Sequence, residues 1–144
     1  MPVEGTYAKF DDRRYVYANR LVPAIMSRFS RVVRTHAEMI RDHMKANMEK
    51  PKHGRVYIRP GGRKHIASAP GEAPAIDTGK LHKSVKIKYQ QAGLLAVIGT
   101  STTDYAGFLE HGTRKIKPRP FGQPAHDAYV EKFRYQMVLA ASSI

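Results

Sequence analysis

The chain has 144 residues, of which 42% are hydrophobic, and its 25 Lys and Arg against 12 Asp and Glu give a formal net charge of +13. This length predicts a single domain over residues 1–144, with a core large enough to need no disulfide or metal. The absence of cysteine excludes disulfides, thiol catalysis and cysteine zinc sites. No apolar run of about 18 residues and no signal-peptide pattern is present, so we expect neither a membrane span nor a leader.

The positive charge is concentrated in three blocks without any acidic residue, at residues 50–64, 80–88 and 114–119. Positive side chains at this density repel one another, and a protein that carries them usually has an acidic partner. The blocks are consistent with contact with nucleic acid or with an acidic protein surface, although a solvated basic surface explains any single block better and the three blocks together equally well. The first block holds the candidate contact residues, which are Arg55, Arg59, Arg63 and Lys64.

A long helix is the first predicted element, over residues 22–50. Its apolar residues recur every three or four positions from Val22 to Met44, a period typical of a helix with one buried face. Pro23 suits the first turn, and Pro51 ends the helix. Residues 1–21 are expected to form an N-terminal arm with a short helix from Asp11 to Arg20 that leads into Pro23. So long a helix either crosses the whole domain or packs partly on a neighbouring subunit.

The middle of the chain predicts short elements around a long loop. Val56–Ile58 is a short strand, and residues 60–77 form an extended loop of the length that is usually functional or mobile. Asp77 or Thr78 can cap a short helical turn that carries Leu81.

The second half predicts a β-hairpin followed by two helices. Apolar and basic residues alternate in the first strand of the hairpin at residues 85–99, and Ala92-Gly93 forms its turn. Thr103 or Asp104 caps a short helix that ends near Gly112. The C-terminal helix spans residues 123–141. The fold class is therefore α+β, with the long N-terminal helix packed on a small antiparallel sheet made of the hairpin and the short strand.

Motifs for catalysis and for cofactor binding are missing. The chain has no H-E-x-x-H, no phosphate-binding loop of the G-x-x-x-x-G-K-[ST] type and no G-x-S-x-G. His36 and His43 lie within the apolar stripe of the long helix, which favours core or interface histidines over metal ligands. We therefore expect no catalytic residue, no cofactor and no metal site, and predict that the protein is not an enzyme.

Two segments carry more information than the composition does. Residues 69–84 read A-P-G-E-A-P-A-I-D-T-G-K-L-H-K-S, and residues 105–125 read Y-A-G-F-L-E-H-G-T-R-K-I-K-P-R-P-F-G-Q-P-A. In this order, before and after a hairpin, they resemble the neck and minor-tail (tail-completion, head–tail joining) proteins of tailed bacteriophages. The resemblance covers residues 50–133 in pattern and the N-terminal helix only in kind, and the basic stretch from Arg55 to Lys64 departs from it.

The resemblance implies a structural protein of the virion neck or tail, assembled in the host cytoplasm. Such a subunit would form a homo-oligomeric ring between the head-closure or connector protein and the tail terminator or tail tube, around the DNA channel. The basic stretch would then face passing DNA or an acidic neighbouring ring, without a membrane partner. The motif positions implied to maintain the fold or the subunit contacts are Asp77, Thr78, Gly79, Leu81, Tyr105, Glu110, Gly112, Thr113, Arg119, Pro120, Phe121 and Pro124.

A second hypothesis stays open at this point. The three basic blocks would also serve a free-standing protein that binds nucleic acid without sequence preference. Salt-dependent binding by the isolated protein would favour this alternative, whereas rings or co-purification with virions would favour the first.

Overall fold

The computed structural model describes residues 12–101 and 105–142, with side chains from residue 20 onward. Its longest element is helix α1, Asp12–Glu49, which has 38 residues and a length of about 57 Å at 1.5 Å per residue. The helix begins before Pro23, so the prediction of a start at residue 22 is wrong. A proline inside a helix removes one backbone hydrogen bond, but residues 12–22 contain neither glycine nor a second proline, and the helix continues across it.

A small antiparallel hairpin follows α1. Strand β1, Val56–Ile58, pairs with β2, Lys64–Ile66, with Tyr57 opposite His65. The predicted loop at residues 60–77 therefore contains a strand, and β1 pairs with this strand instead of joining the second hairpin. Strand β2 was not predicted because its three residues are largely exposed on both faces. An exposed strand does not need alternating apolar and polar residues, so it leaves no such pattern in the sequence.

A second hairpin packs against α1. Helix α2, Lys80–Ser84, leads into β3, Val85–Gln90, which pairs with β4, Leu95–Thr100, across a 3-10 turn at Gln91–Gly93. The Tyr89 ring lies 4.6 Å from the guanidinium carbon of Arg34 on α1, whereas the lysines of β3 point to solvent.

Two more helices complete the fold: α3, Tyr105–His111, and α4, Gln123–Ser142. Helix α4 runs antiparallel to α1, since His36 contacts Phe133 and His43 contacts Tyr129, both edge to face. The core lies where the end of α1 meets the start of α4, and its buried residues are Met44, Met48, Leu81, Val85, Ala106, Phe121 and Ala125.

The predicted α+β class, with a long N-terminal helix, a hairpin and a C-terminal helix, is confirmed. The structure divides the strands between two separate two-stranded sheets, which the prediction of one small sheet missed. None of the helices in the described ranges is both long and apolar enough to span a bilayer. The predicted cap at Thr103 or Asp104 lies outside those ranges.

Candidate functional site at the junction of the two motifs

The two sequence motifs meet at one cavity of about 270 Å³ beside the core. The first motif contributes four of the predicted residues to its wall, and the second contributes two. Met48 of α1 and His65 of β2 complete the surroundings of the site. The six predicted residues in the wall are Asp77, Thr78, Gly79, Leu81, Tyr105 and Arg119.

The Asp77 carboxylate binds the first basic block. Its Oδ2 accepts a hydrogen bond from Arg59, its Oδ1 accepts one of 3.2 Å from Arg63, and the His65 ring nitrogen lies 3.8 Å away. Arg59 and Arg63 belong to the turn of the β1–β2 hairpin, so Asp77 ties the tip of that hairpin to the cavity wall. Two of the four predicted contact residues are therefore engaged within the chain.

Neither of the two predicted helix caps, Asp77 and Thr78, occupies the N-cap position of helix α2, which begins at Lys80. Gly79 is the N-cap, with a left-handed φ of 76°, and the Thr78 hydroxyl accepts a hydrogen bond of 3.4 Å from the Lys80 amide. The Gly79 carbonyl accepts the first turn's hydrogen bond from the Lys83 amide at 2.9 Å. Asp77 does not cap the helix because both of its oxygens already bind arginines. Leu81 then points into the core.

Glu110 caps helix α4 from a distance in sequence. Its carboxylate accepts hydrogen bonds from the amides of Phe121, Gly122 and Gln123 at 2.9, 3.0 and 2.7 Å. The first amides of a helix have no partner within the helix, and negative charge there also opposes the positive end of the helix dipole. The Glu110 carboxylate thus fixes α3 to the start of α4.

The turn after α3 requires its glycine. Gly112 has a φ of 75°, and a Cβ there would approach the Ile116 carbonyl oxygen to 2.8 Å and the Pro118 nitrogen to 2.9 Å. Thr113 closes the turn, because its amide donates to the Ile116 carbonyl at 2.7 Å and its hydroxyl accepts from the Ile116 amide at 3.1 Å. This turn directs the chain back along α3.

The remaining positions of the second motif line the approach to α4. The Arg119 amide donates to the Leu109 carbonyl at 2.7 Å, which holds this segment against α3. Phe121 is only 4% exposed and lies in the core. Pro120 is half-buried, and Pro124 is the exposed second residue of α4.

The first basic block divides into internal and free charges. Lys50 and Lys52 donate to the Asn47 side-chain and backbone oxygens, both at 2.8 Å, at the C-terminal end of α1. Burial lowers the pKa of Lys52, against a smaller opposite effect of Glu72. Arg55 lies over the Tyr57 ring at 5.5 Å, and Lys64 is exposed.

Sequence reasoning missed Glu72, which holds the base of the first hairpin. Its carboxylate accepts from the Ala69 amide at 2.8 Å and from the His53 amide at 3.1 Å, and it lies 2.6 Å from the His53 ring nitrogen. These hydrogen bonds, with that of Ala69 the strongest, lower the pKa of Glu72 to about 2. Its partner Ala69 is 3 positions away, but His53, through which it holds the base of the hairpin, is 19 positions away, and no sequence pattern links the two.

The histidines form no metal centre in the described part of the chain, where no group of three or more potential ligands comes together. His36 is buried, and its Nδ1 lies 2.9 Å from the Val32 carbonyl oxygen. The His126 Nδ1 lies 3.0 Å from the Asp127 carboxylate on the exposed face of α4.

Comparison with known proteins gives one family. Residues 17–112 match the model of the HK97-gp10-like family, described as "Bacteriophage HK97-gp10, putative tail-component". The match begins within α1 and ends at the glycine after α3, so it covers both hairpins, Asp77 and Glu110 but stops before Arg119. Searches of curated proteins and of solved structures found no match.

Proposed function

The chain belongs to the HK97-gp10-like family of bacteriophage tail components, which are structural proteins of the virion; from this premise, we propose that it is a ring-forming neck or tail-completion subunit. Its single domain would assemble in the host cytoplasm with copies of itself and join the head-closure or connector protein to the tail terminator or tail tube. Subunits in a ring make head-to-tail contacts, which require two different complementary surfaces on each copy.

The observation that carries this proposal is the open β1–β2 hairpin. Its apolar side chains lie on the outside: Val56, Tyr57 and Ile58 are exposed, and Ile58 is 69% exposed. A two-stranded hairpin is marginally stable alone, and exposed apolar residues on an unpaired strand edge are typical of a contact surface. Such a hairpin suits a subunit that becomes fully ordered and covered only in an assembly.

Helix α4 offers a second apolar surface far from the hairpin. Tyr135, Val138 and Leu139, in its C-terminal half, are all exposed, with Val138 at 65%. On α1, which runs antiparallel to α4, Val22 and Met26 are also exposed. Two separate apolar surfaces on one chain fit the head-to-tail contacts of a ring.

The charge of the hairpin defines its proposed neighbours. Arg55 and Lys64 have no carboxylate within 4 Å among the described residues, unlike Arg59 and Arg63. We assign to this pair the contact with DNA in the channel or with an acidic neighbouring ring. Contacts to DNA phosphates would be independent of base sequence and would weaken with salt.

Charge reversal tests this assignment in the phage that encodes the protein. The double variant Arg55→Glu and Lys64→Glu should leave unjoined heads and tails, or heads that lose their DNA, in negative-stain micrographs. Arg59 and Arg63 stay unchanged, because their replacement would also release Asp77. The matched control is Arg114→Glu with Lys115→Glu, which makes the same change in charge on an exposed turn.

Three outcomes would contradict parts of the proposal. Normal infectious particles from the hairpin variant would remove the role of Arg55 and Lys64. Equal defects in both double variants would mean that total charge matters and the hairpin does not. A protein absent from purified particles, and seen without rings by electron microscopy, would overturn the neck assignment itself.

The second candidate function, nucleic-acid binding by the free protein, is favoured by one specific observation. Lys86 and Lys88 stand side by side on the exposed face of β3, and no carboxylate lies within 4 Å of either in the described part of the chain. If these lysines bind phosphates, a gel shift should weaken with salt, and Lys86→Gln with Lys88→Gln should reduce the logarithmic salt slope by about 1.8. An unchanged slope, or no shift at all, would exclude this role.

A further inference from the structure

The cavity between the two motifs has a cationic wall that the proposed ring contacts do not use. His65, Lys80, His82 and Arg119 line it. His82 lies 2.8 Å from Glu49, and Asp77 faces His65 at 3.8 Å, but no acidic side chain among the described residues lies within 4 Å of Lys80 or Arg119. The site therefore has more positive charge than its own chain neutralises.

Arg119 is the central group of this wall. Its backbone is fixed by the hydrogen bond to Leu109, and its Nε is buried with no hydrogen-bond partner among the described residues. A buried donor without an acceptor costs about 1–3 kcal/mol, more when the group is charged, so nearly all such donors in folded proteins have one. A guanidinium binds oxyanions in particular, because its planar N–H groups match two oxygens at once.

Asp77 does not supply this acceptor, although it belongs to the same wall. Both of its oxygens bind the hairpin, one to Arg59 and the other to Arg63. The wall also contains apolar side chains, among them Met48, Leu81 and Leu109. The cavity thus combines a cationic group that can anchor an oxyanion with carbon surface that can hold a short methylene chain.

We propose that this cavity binds a carboxylate on a polypeptide, an acidic side chain or a chain end, presented by a neighbouring protein of the virion. The carboxylate would bind Arg119 and Lys80, and its methylene groups would lie against Leu81 and Leu109. A backbone phosphate of DNA has no such apolar stem and is too closely flanked by its duplex to enter a cavity of about 270 Å³. The partner half of the inference rests on the proposed place in the neck, whereas the binding half does not.

Glutarate, a dicarboxylate with a short methylene chain, is the probe for the binding half. In amide NMR spectra of the purified chain, glutarate should shift the signals of Gly79 and Lys80 in a saturable way. Arg119→Gln should weaken this binding roughly tenfold or more, whereas Arg114→Gln, with the same net charge, should not. Lys80→Gln, at an exposed position that tolerates change, should weaken binding less than Arg119→Gln and provides a second test if Arg119→Gln fails to fold.

Inorganic phosphate is the competing probe. Saturation by phosphate at lower concentration than by glutarate would overturn the choice of carboxylate, and no saturable shift with either would overturn the site. If Arg119→Gln and Arg114→Gln weaken glutarate binding equally, binding depends only on the net charge of the protein, and this result would also overturn the site.

The partner half is tested in the phage with the same variants. Arg119→Gln should impair head–tail joining and Arg114→Gln should not. If glutarate binds but Arg119→Gln particles are normal, the claim that a virion protein fills the cavity is wrong. If instead the protein proves absent from virions, the proposed function fails while the glutarate result stands.

Discussion

Two regions of the molecule are held in place by different interactions. One is the corner around the cavity, where the end of α1 meets the start of α4, and the other is the β1–β2 hairpin. The corner buries its apolar residues, among them Met48, Leu81 and Phe121, and fixes the helix ends through Glu110. The hairpin buries none of its apolar residues. It is attached by two carboxylates, Glu72 at its base and Asp77 at its tip.

This difference shows where the acidic residues of a basic chain are used. All three acidic side chains described between residues 50 and 122, Glu72, Asp77 and Glu110, bind within the chain. Among the described residues of this region, no carboxylate therefore remains to offset its lysines and arginines. The basic surface and the ordered loops are thus two results of one distribution of carboxylates.

Side-chain truncation gives the largest expected contrast between the two regions. Phe121→Ala removes a ring that is 4% exposed and should lower the free energy of unfolding by about 3–5 kcal/mol. Ile58→Ala, on the open hairpin, should change it by less than about 0.5 kcal/mol, because its side chain is already in water. Urea denaturation followed by circular dichroism measures both.

The same two variants distinguish an effect on folding from an effect on assembly. Ile58→Ala should fold normally and yet impair ring formation, because the hairpin surface is lost without loss of the core. A large drop in stability for Ile58→Ala would mean that the hairpin packs on the body in solution, contrary to its exposure.

Two glycines with similar backbone angles give a smaller contrast. Gly61 in the hairpin turn and Gly112 after α3 have φ values of 85° and 75°, so alanine meets a similar left-handed strain of about 1–2 kcal/mol at each. Only at Gly112 would the added Cβ also strike backbone and proline atoms, whereas at Gly61 nothing lies within 4 Å. Gly112→Ala should therefore destabilise the fold by about 2–4 kcal/mol in total.

Thermal or urea unfolding of both alanine variants measures the difference. Equal losses would show that backbone strain alone decides the cost and that the turn at Gly112 can relax away from a Cβ. A larger loss for Gly112→Ala than for Gly61→Ala would assign the excess to the close approach of Ile116 and Pro118.

The sequence predicted the elements that bury a periodic apolar face. The stripe of α1 and the alternation in β3 follow from burial against one core, so single-residue patterns reveal them. Strand β2 escaped prediction because its pairing leaves it largely exposed. The start of α1 was wrong because a proline was taken as a helix start, although a long helix can include one.

The site was predictable in its members but not in its connections. Asp77, Glu110 and Arg119 were named from the motifs, yet their partners are 10 to 18 residues away. Glu72 was missed for the same reason. Which amide or arginine a carboxylate meets depends on how the loops fold back, and no local pattern encodes it.

The smallest expected effect is the acid sensitivity of the hairpin base. Because its hydrogen bonds lower the pKa of Glu72 to about 2 from 4.5, the ionised carboxylate stabilises the folded state. This contribution is complete above about pH 4.5 and is lost as the pH falls towards 2. Glu72→Gln should melt at a lower temperature at neutral pH, and its melting temperature should fall less than that of the wild type between pH 5 and 2.

Asp127→Asn is the control, because the pKa of Asp127 is also lowered, by His126 and Gln123, but its carboxylate lies on α4 away from the hairpin. NMR signals of Gly54 and Ala67 should change with pH in the wild type and in Asp127→Asn, and stay constant in Glu72→Gln. If these signals still change in Glu72→Gln, Glu72 does not control the acid response of the hairpin base.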